Sequence, residues 1–336
     1  MEFLITHQED GHTVKQFIYE TLNLSTRLLK RLKYRCNGQG ITVNGAPVNV
    51  LHVLRQGELL RLSLEDQNSS AGIVPNGTMP PVLYEDDDLL ILNKPPYMPT
   101  HPTHGHLCDT AANAVAAYYA AKGIPFVFRC GSRLDRDTSG VLPIAKNQQT
   151  ASWFYRCHTN GTMQKYYLAL LGGALLPPAG RINLPIARQN DSVIMRAAVP
   201  GGAPAATAYQ TLWHAPAPTP LLSAVLAIPY TGRTHQLRVH FAACGCPIIG
   251  DSLYGTANGK ITRQALHAVA LRFPHPRTHQ PFSVFAPIPA DIIALLKQHN
   301  ADVQAIQTCC QNALKGELQI WENSSDNCVG TAAPMP

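Results

Sequence analysis

Residues 129–140, RCGSRLDRDTSG, gather two acids, three arginines, three hydroxyl side chains and two glycines into 12 positions. Apolar stretches flank them, 126–128 before and 141–145 after, and both read as strands. A polar loop joining two buried strands is where a rigid scaffold would hold a reactive site. Asp135 and Asp137 have strand-like spacing, which would place both on one face. A metal pair built on them would need further ligands that cannot be assigned from the sequence. A salt-bridged turn would use the same residue types, so the loop by itself leaves both readings open.

A second group competes with it. His101, His104, His106 and Cys108 fall within eight residues, HPTHGHLC, and H-x-x-H-x-H spacing invites a metal ion. The partners that would close a known site are missing. There is no H-E-x-x-H, and the H-x-H-x-D-H pattern of metallo-β-lactamases fails because Cys108 holds the aspartate position and Asp109 the final histidine. Loop histidines beside a cleft are the simpler account, and no metal is expected.

The elements that position these groups belong to a chain of 336 residues, enough for about two domains with ample core. At 45% hydrophobic and 14% charged, the composition excludes global disorder. No apolar run is long enough for a transmembrane helix, and the polar first ten residues show no signal-peptide pattern, so a cytoplasmic protein is expected. The nine cysteines are irregularly spaced without a C-x-x-C pair, which argues against a zinc ribbon or thioredoxin motif and for reduced packing residues. The net charge of +6 is unevenly spread. Residues 1–66 carry eight Lys/Arg against seven acids, 67–300 carry 18 against 10, and 301–336 carry one against four. A basic middle suggests a polyanionic partner.

Residues 1–66 read as a small module. Thr13 and Gln16 have capping-box spacing ahead of a helix with Val14, Phe17, Ile18 and Leu22 on one side. A second helix is expected over 25–35, with Leu28, Leu29 and Leu32 inward. Its other positions carry Arg27, Lys30, Arg31, Lys33 and Arg35 without an acid. A solvated face and a phosphate-contacting face both fit that pattern. An Asn44-Gly45 turn between 41–43 and 48–50 reads as a hairpin, and 59–64 as a last strand. The order of these elements resembles the S4 RNA-binding domain over about 50 residues.

Residues 67–81 read as a linker rich in Ser, Asn, Gly and Pro. Beyond it, β-type runs at 89–92, 141–145, 166–171, 206–213, 223–228, 266–273 and 282–285 outnumber helical patterns at 110–121, 149–157 and 235–243. Strands and helices do not alternate regularly, so a doubly wound parallel sheet is not expected. The fold class expected is α+β, with a mixed, mainly antiparallel sheet over 82–300 and a tail, holding at most one helix, over 301–336.

The octapeptide 133–140, RLDRDTSG, resembles the H-R-L-D-x-x-T-S-G signature of RluA-family pseudouridine synthases, with Ser132 where histidine is usual. Other blocks similar to that family follow in order. They are Asn93-Lys94-Pro95, then Lys165-Tyr166-Tyr167-Leu168-Ala169, then 232–240 (GRTHQLRVH), 249–255 (IGDSLYG), and a last block from Leu266-His267-Ala268 to His275-Pro276. The resemblance spans about 82–290. It implies a catalytic domain of pseudouridine synthase type that isomerises uridine in ribosomal or transfer RNA. It implies Asp135 as catalytic aspartate, Arg238 as its partner, and Tyr167 and Leu237 against the target base.

Those roles make physical sense. A guanidinium favours the charged form of a carboxylate and orients it, and an aromatic ring gives a lifted uracil a stacking platform. Arg129, Arg133, Arg136, Arg233 and His235 are candidate RNA contacts in the large domain, and Arg27, Lys30, Arg31 and Lys33 in the N-terminal module. The isomerisation needs no redox or energy-coupled step, and the sequence has no P-loop or dinucleotide fingerprint, so no cofactor is expected. The partners expected are RNA and neither a membrane nor a nucleotide, with the chain as a monomer. Two other readings remain on the residues: a non-catalytic RNA-binding or ribosome-assembly factor on the same fold, and a metal-dependent hydrolase using His101 to Cys108.

Overall fold

The computed structural model describes residues 2–22, 29–30, 32–33, 40–63, 69–189, 192–216, 222–255, 259 and 261–314. Much of the expected second helix, including Arg27, Arg31 and Arg35, lies outside them, as does 315–336. Leu29, Lys30, Leu32 and Lys33 are helical, with both leucines buried and both lysines exposed.

In the N-terminal module four strands, β1 (Glu2–Leu4), β2 (Ile41–Val43), β3 (Ala46–Pro47) and β4 (Leu59–Leu62), pair in the order β1-β4-β2-β3. Helix α1 (Val14–Gln16) widens into a π-helical turn over Phe17–Thr21. The capping box forms, since Gln16 N–H donates to Thr13 Oγ1 at 3.2 Å and Thr13 N–H to Gln16 Oε1 at 2.9 Å. Asn44 and Gly45 both have positive φ, 50° and 83°, as a two-residue hairpin turn requires. Such a turn leaves no spare residues, so the return strand starts at Ala46 and not at Val48 as expected. Val14, Phe17, Ile18, Leu29, Leu32, Ile41, Leu54 and Leu60 belong to one small core.

The large sheet has nine strands. β5 (Val82–Glu85), β6 (Leu89–Lys94), β7 (Ser139–Ala145), β14 (Leu266–Pro274), β8 (Gln164–Gly172), β13 (Leu222–Pro229), β12 (Thr207–His214) and β9 (Ala179–Ile182) follow one another across it, and β15 (Pro281–Phe285) pairs with β14. All these pairings are antiparallel except β7 with β14, so the mixed, mainly antiparallel expectation holds. A separate ribbon joins β10 (Ile186–Arg188) to β11 (Arg196–Ala198).

The apolar runs are continuous because both faces of the sheet are covered. Leu90 and Leu92 face α2 (Ala111–Ala121), α5 (Ala290–Gln298) and α6 (Val303–Leu314) in the largest core cluster. Leu89 and Ile91, one residue out of phase, join the cluster of α3 (Gln148–Thr159). Thr110 caps α2 and Asn147 caps α3.

Four sequence expectations need correction. Residues 126–128 form no strand, because their N–H groups find side-chain partners: Phe126 N–H donates to Ser69 Oγ and Phe128 N–H to Ser70 Oγ. The chain meets β7 only afterwards, through the Cys130–Ile144 bridge and the bond from Gly131 N–H to Pro143 O at 2.8 Å. Asp135 and Asp137 do not alternate as in a strand, since Thr138 N–H closes a turn on Asp135 O at 3.1 Å. Residues 301–314 are not a tail: α6 buries Ile306, Cys310 and Ala313 in the main core. The described part of the expected linker is also docked, for Asn113 Nδ2 donates to Val74 O at 2.7 Å, and Ile73 and Met79 pack on the core.

β7 pairs with β14 only at Ser139–His267 and Gly140–Ala268, then diverges, and β15 pairs with β14 from Ala270 onward. Gly140 stands at that branch with φ 112°, and a Cβ there would lie 2.2 Å from Ala268 O. Gly140→Ala is expected to lower stability by roughly 2–6 kcal/mol, since overpacking and a forced positive φ each cost about 1–3 kcal/mol. Denaturant unfolding checks this through a lower midpoint at unchanged slope.

Candidate active site

The 129–140 loop ends at this branch, and buried polar groups hold it from beneath. Lys94 at the end of β6 is fully buried, and its ammonium donates to Pro95 O, Met98 O and Arg136 O at 2.8–2.9 Å. Burial pulls Lys94 down to about 7, while Asp137 and Asp135 act to hold it up. Thr100 Oγ1 donates to Leu134 O at 2.9 Å, and Arg263 reaches Asp137 O at 3.1 Å while gripping Asp291 through two bonds of 2.7 and 3.0 Å. Ser139 Oγ and His267 Nδ1 are 2.9 Å apart at the strand pair. Asp135 is thereby presented on a turn whose own backbone is anchored.

Opposite it stands α4 (Gln236–Ala243). The turn before it is tied by Gln236, whose Oε1 accepts from Thr231 Oγ1 at 2.7 Å and Arg233 N–H at 3.1 Å. Its Nε2 donates to Ala206 O and Thr207 Oγ1 at 3.0 Å. Arg238, one turn into α4, is buried and reaches Asp135 Oδ2 through Nη1 at 3.4 Å. Its stronger partner is Asp251, which takes bonds from Nε at 2.7 Å and Nη2 at 2.8 Å. Asp251 is fully buried and also accepts from Leu253 and Tyr254 N–H. Burial alone would raise the Asp251 carboxyl, but the Arg238 guanidinium and those amides outweigh it and hold it below the usual range. Burial likewise acts to lower Arg238, yet Asp251 and Asp135 raise it overall.

His235 adopts φ 58° just ahead of the helix, a conformation uncommon outside glycine that concentrates at functional sites. Its Nδ1 is 2.9 Å from Tyr254 Oη, which already accepts from Arg196 N–H at 2.8 Å. The other ring nitrogen, Nε2, lies 3.9 Å from Asp135 Oδ2, so the imidazole spans the tyrosine hydroxyl and the carboxylate. Burial lowers His235, more than the Asp135 charge raises it. Tyr167 lies on β8 between Ala268 and Ala227 of its neighbours, and it is pushed upward by burial and then by the Asp135 charge.

A cleft of about 650 Å³ brings most of the expected residues together. Asp135, Tyr167, Arg238, Leu237, His235, Arg133, Arg136 and Arg233 all line it. Arg136 is committed to Asp137 through a two-pronged pair at 2.8 and 3.0 Å, so it contributes less free charge than the sequence implied. Arg129 does not line the cleft and donates instead to Val127 O at 3.1 Å. Lys30 and Lys33 are exposed in the N-terminal module, and Arg27 and Arg31 lie outside the described residues. His101 pairs with Cys130 at 3.0 Å and His106 with Asp109 at 2.6 Å, and no group of metal-ligating side chains converges among the described residues.

Among the described residues the cleft presents one carboxylate, Asp135, a guanidinium braced from behind by Asp251, and the aromatic side chain of Tyr167. Residues 88–243 match the family model for RNA pseudouridylate synthase. YjbO of Bacillus subtilis (strain 168), named as an uncharacterized RNA pseudouridine synthase, is 35% identical over 288 residues, which cover 86% of this chain and 99% of that one. Ribosomal large subunit pseudouridine synthase D of Pasteurella multocida (strain Pm70) is 33% identical over 294 residues, or 82% and 88% of the two chains. The solved structure of human RNA pseudouridylate synthase domain containing 1 superposes with TM-score 0.52 at 28% identity, over 69% of this chain and 98% of that one. The chain belongs to the RNA pseudouridylate synthase family.

Proposed function

We propose that the cleft isomerises particular uridines of ribosomal or transfer RNA, with Asp135 as the catalytic aspartate, Arg238 as its partner and Tyr167 as the base platform. The observation that carries this is the convergence of Arg238 on Asp135 at 3.4 Å within a cleft also lined by Tyr167. The reaction breaks the N1–C1′ bond, turns the uracil, and joins C5 to C1′. The C5 hydrogen leaves to water and N1 gains a proton, so no oxidant or co-substrate is consumed. Asp135 serves either by attacking C1′ or by removing a sugar proton, and both routes require its ionised form beside the ribose. A non-catalytic binding factor would not need such a trio.

Ribosomal large subunit pseudouridine synthase D among the relatives favours a ribosomal target. We place the protein in the cytoplasm, where such RNA is met, and as a monomer, because a single chain supplies every residue named in the cleft. Mapping pseudouridine in total RNA from cells with and without the protein tests the reading. A small set of sites should vanish and return when the gene is restored. An unchanged map, together with no conversion by the purified protein, would overturn it.

The N-terminal module is proposed to hold RNA as an S4-like domain, on the support of the cluster of cations in its sequence over 27–35. Neutralising Arg27, Lys30, Arg31 and Lys33 together is expected to weaken RNA binding. The slope of log K against log salt should flatten by about 0.7–0.9 for each phosphate that is no longer neutralised. An unchanged slope would make the helix a solvated surface.

A further inference from the structure

Two basic groups in the cleft have no role in the chemistry above. Lys165 and His158 both line it, and among the described residues neither side chain has a hydrogen bond or ion pair. They converge on Gly232. A Cβ built there would stand 3.8 Å from His158 Cε1 and Nε2 and 4.0 Å from Lys165 Nζ. Those are ordinary contact distances, so packing does not demand a glycine, and its missing side chain leaves the space between the two groups open. Asp135 is the one carboxylate among the described cleft-lining residues, and it is engaged with Arg238 and His235.

An ammonium withdrawn from water without a counter-ion is costly, and proteins otherwise pair such a group. Lys165 is lowered by burial with no acid acting to raise it, and His158 is lowered by burial and then by the Lys165 charge. Lys165 is half-buried and His158 exposed at the cleft wall, so both are open to an anion that enters with the substrate. Lys165 is two residues before Tyr167 on β8, so both side chains leave the same face about 6.6 Å apart along the strand. That separation is on the scale of one nucleotide.

We propose that Lys165 and His158, with the open space at Gly232 between them, bind a backbone phosphodiester of the substrate RNA adjacent to the uridine over Tyr167. This rests on the functional reading above and adds to it a subsite. The phosphate supplies the charge that Lys165 lacks, the His158 ring donates one N–H, and the pair fixes the register of the strand so that the target ribose meets Asp135.

The test uses the full chain and the transcript in which its pseudouridine is mapped. Lys165→Met keeps the packed stem and removes the charge. It should bind the transcript roughly tenfold or more weakly and lower the salt slope by about 0.7–0.9, the signature of one phosphate released from its cation. Its melting temperature should stay level or rise, because an uncompensated charge has left a partly buried position. Lys165→Arg should restore most of the slope, and His158→Gln should weaken binding with less change in slope. Unchanged affinity and slope in Lys165→Met would overturn the proposal, as would a fall in melting temperature matching the loss of binding. Inorganic phosphate alone should show no saturable binding. Tight saturable binding that Lys165→Met removes would assign the site to a free anion and overturn the RNA contact. A wild-type protein that binds the transcript without converting uridine would count against the functional reading and not against this subsite.

Discussion

Asp251→Ala is expected to destabilise the protein by about 3–5 kcal/mol and to abolish turnover, although Asp251 does not line the cleft. The reason lies in how the charges are stacked. Arg238 gives its two best hydrogen bonds to Asp251, and only the longer 3.4 Å contact reaches Asp135. Deleting the Asp251 carboxylate leaves a buried guanidinium with one distant partner, and breaking a buried pair costs far more than the pair itself contributes. The freed arginine then turns toward Asp135 or toward water, and the carboxylate loses its fixed orientation. Asp251→Asn keeps the shape and should recover part of the stability with little of the activity. The acid side of the stability curve gives an independent check. Asp251 is held below its ordinary value in the folded protein, so its contribution is complete above about pH 4 and is lost as pH falls further through the folded value. The Ala variant should lack that component of the acid transition. An Asp251→Ala protein with wild-type melting and turnover would show that Arg238 is held by something else.

Asp251 also marks what the sequence could and could not disclose. Strands β6, β7, β8, β13 and β14 are legible because each is a long apolar run, and runs of that kind require a sheet covered on both faces. Helices α2, α3 and α4 are legible from their periodicity, and Thr110 marks the start of the first. Residues Asp135, Tyr167 and Arg238 stand out through blocks of recognisable type and order. Asp251 stands inside one such block, yet nothing local announces its role. Its partner is 13 positions earlier in the chain and meets it only when α4 folds against the following turn. Lys94 is similar, for its three carbonyl partners come from two separate loops. Residues 126–128 fail as a strand for the converse reason. Their composition is that of a strand, but Ser69 and Ser70 satisfy the backbone that a ladder would otherwise use. Likewise, the polar and acidic character of 301–336 as a whole obscures the apolar stripe of α6, where Ile306, Cys310 and Ala313 lie on one buried face.

Asp135→Asn should have the opposite profile from Asp251→Ala. The side chain is about 30% exposed and its contact to Arg238 is long, so stability should change by less than about 1 kcal/mol. RNA binding should persist, because the amide occupies the same volume and the basic residues of the cleft are untouched. Catalysis should fall by at least about 10⁴-fold, since an amide can neither add to C1′ nor take a sugar proton. Release of tritium from C5 of uridine in the mapped transcript tests this most directly, because joining C5 to C1′ expels that hydrogen into water. With wild-type protein, one tritium should be released for each pseudouridine formed. With folded, RNA-bound Asp135→Asn, release should stay at background, and tritium release at a wild-type rate from that variant would contradict the account.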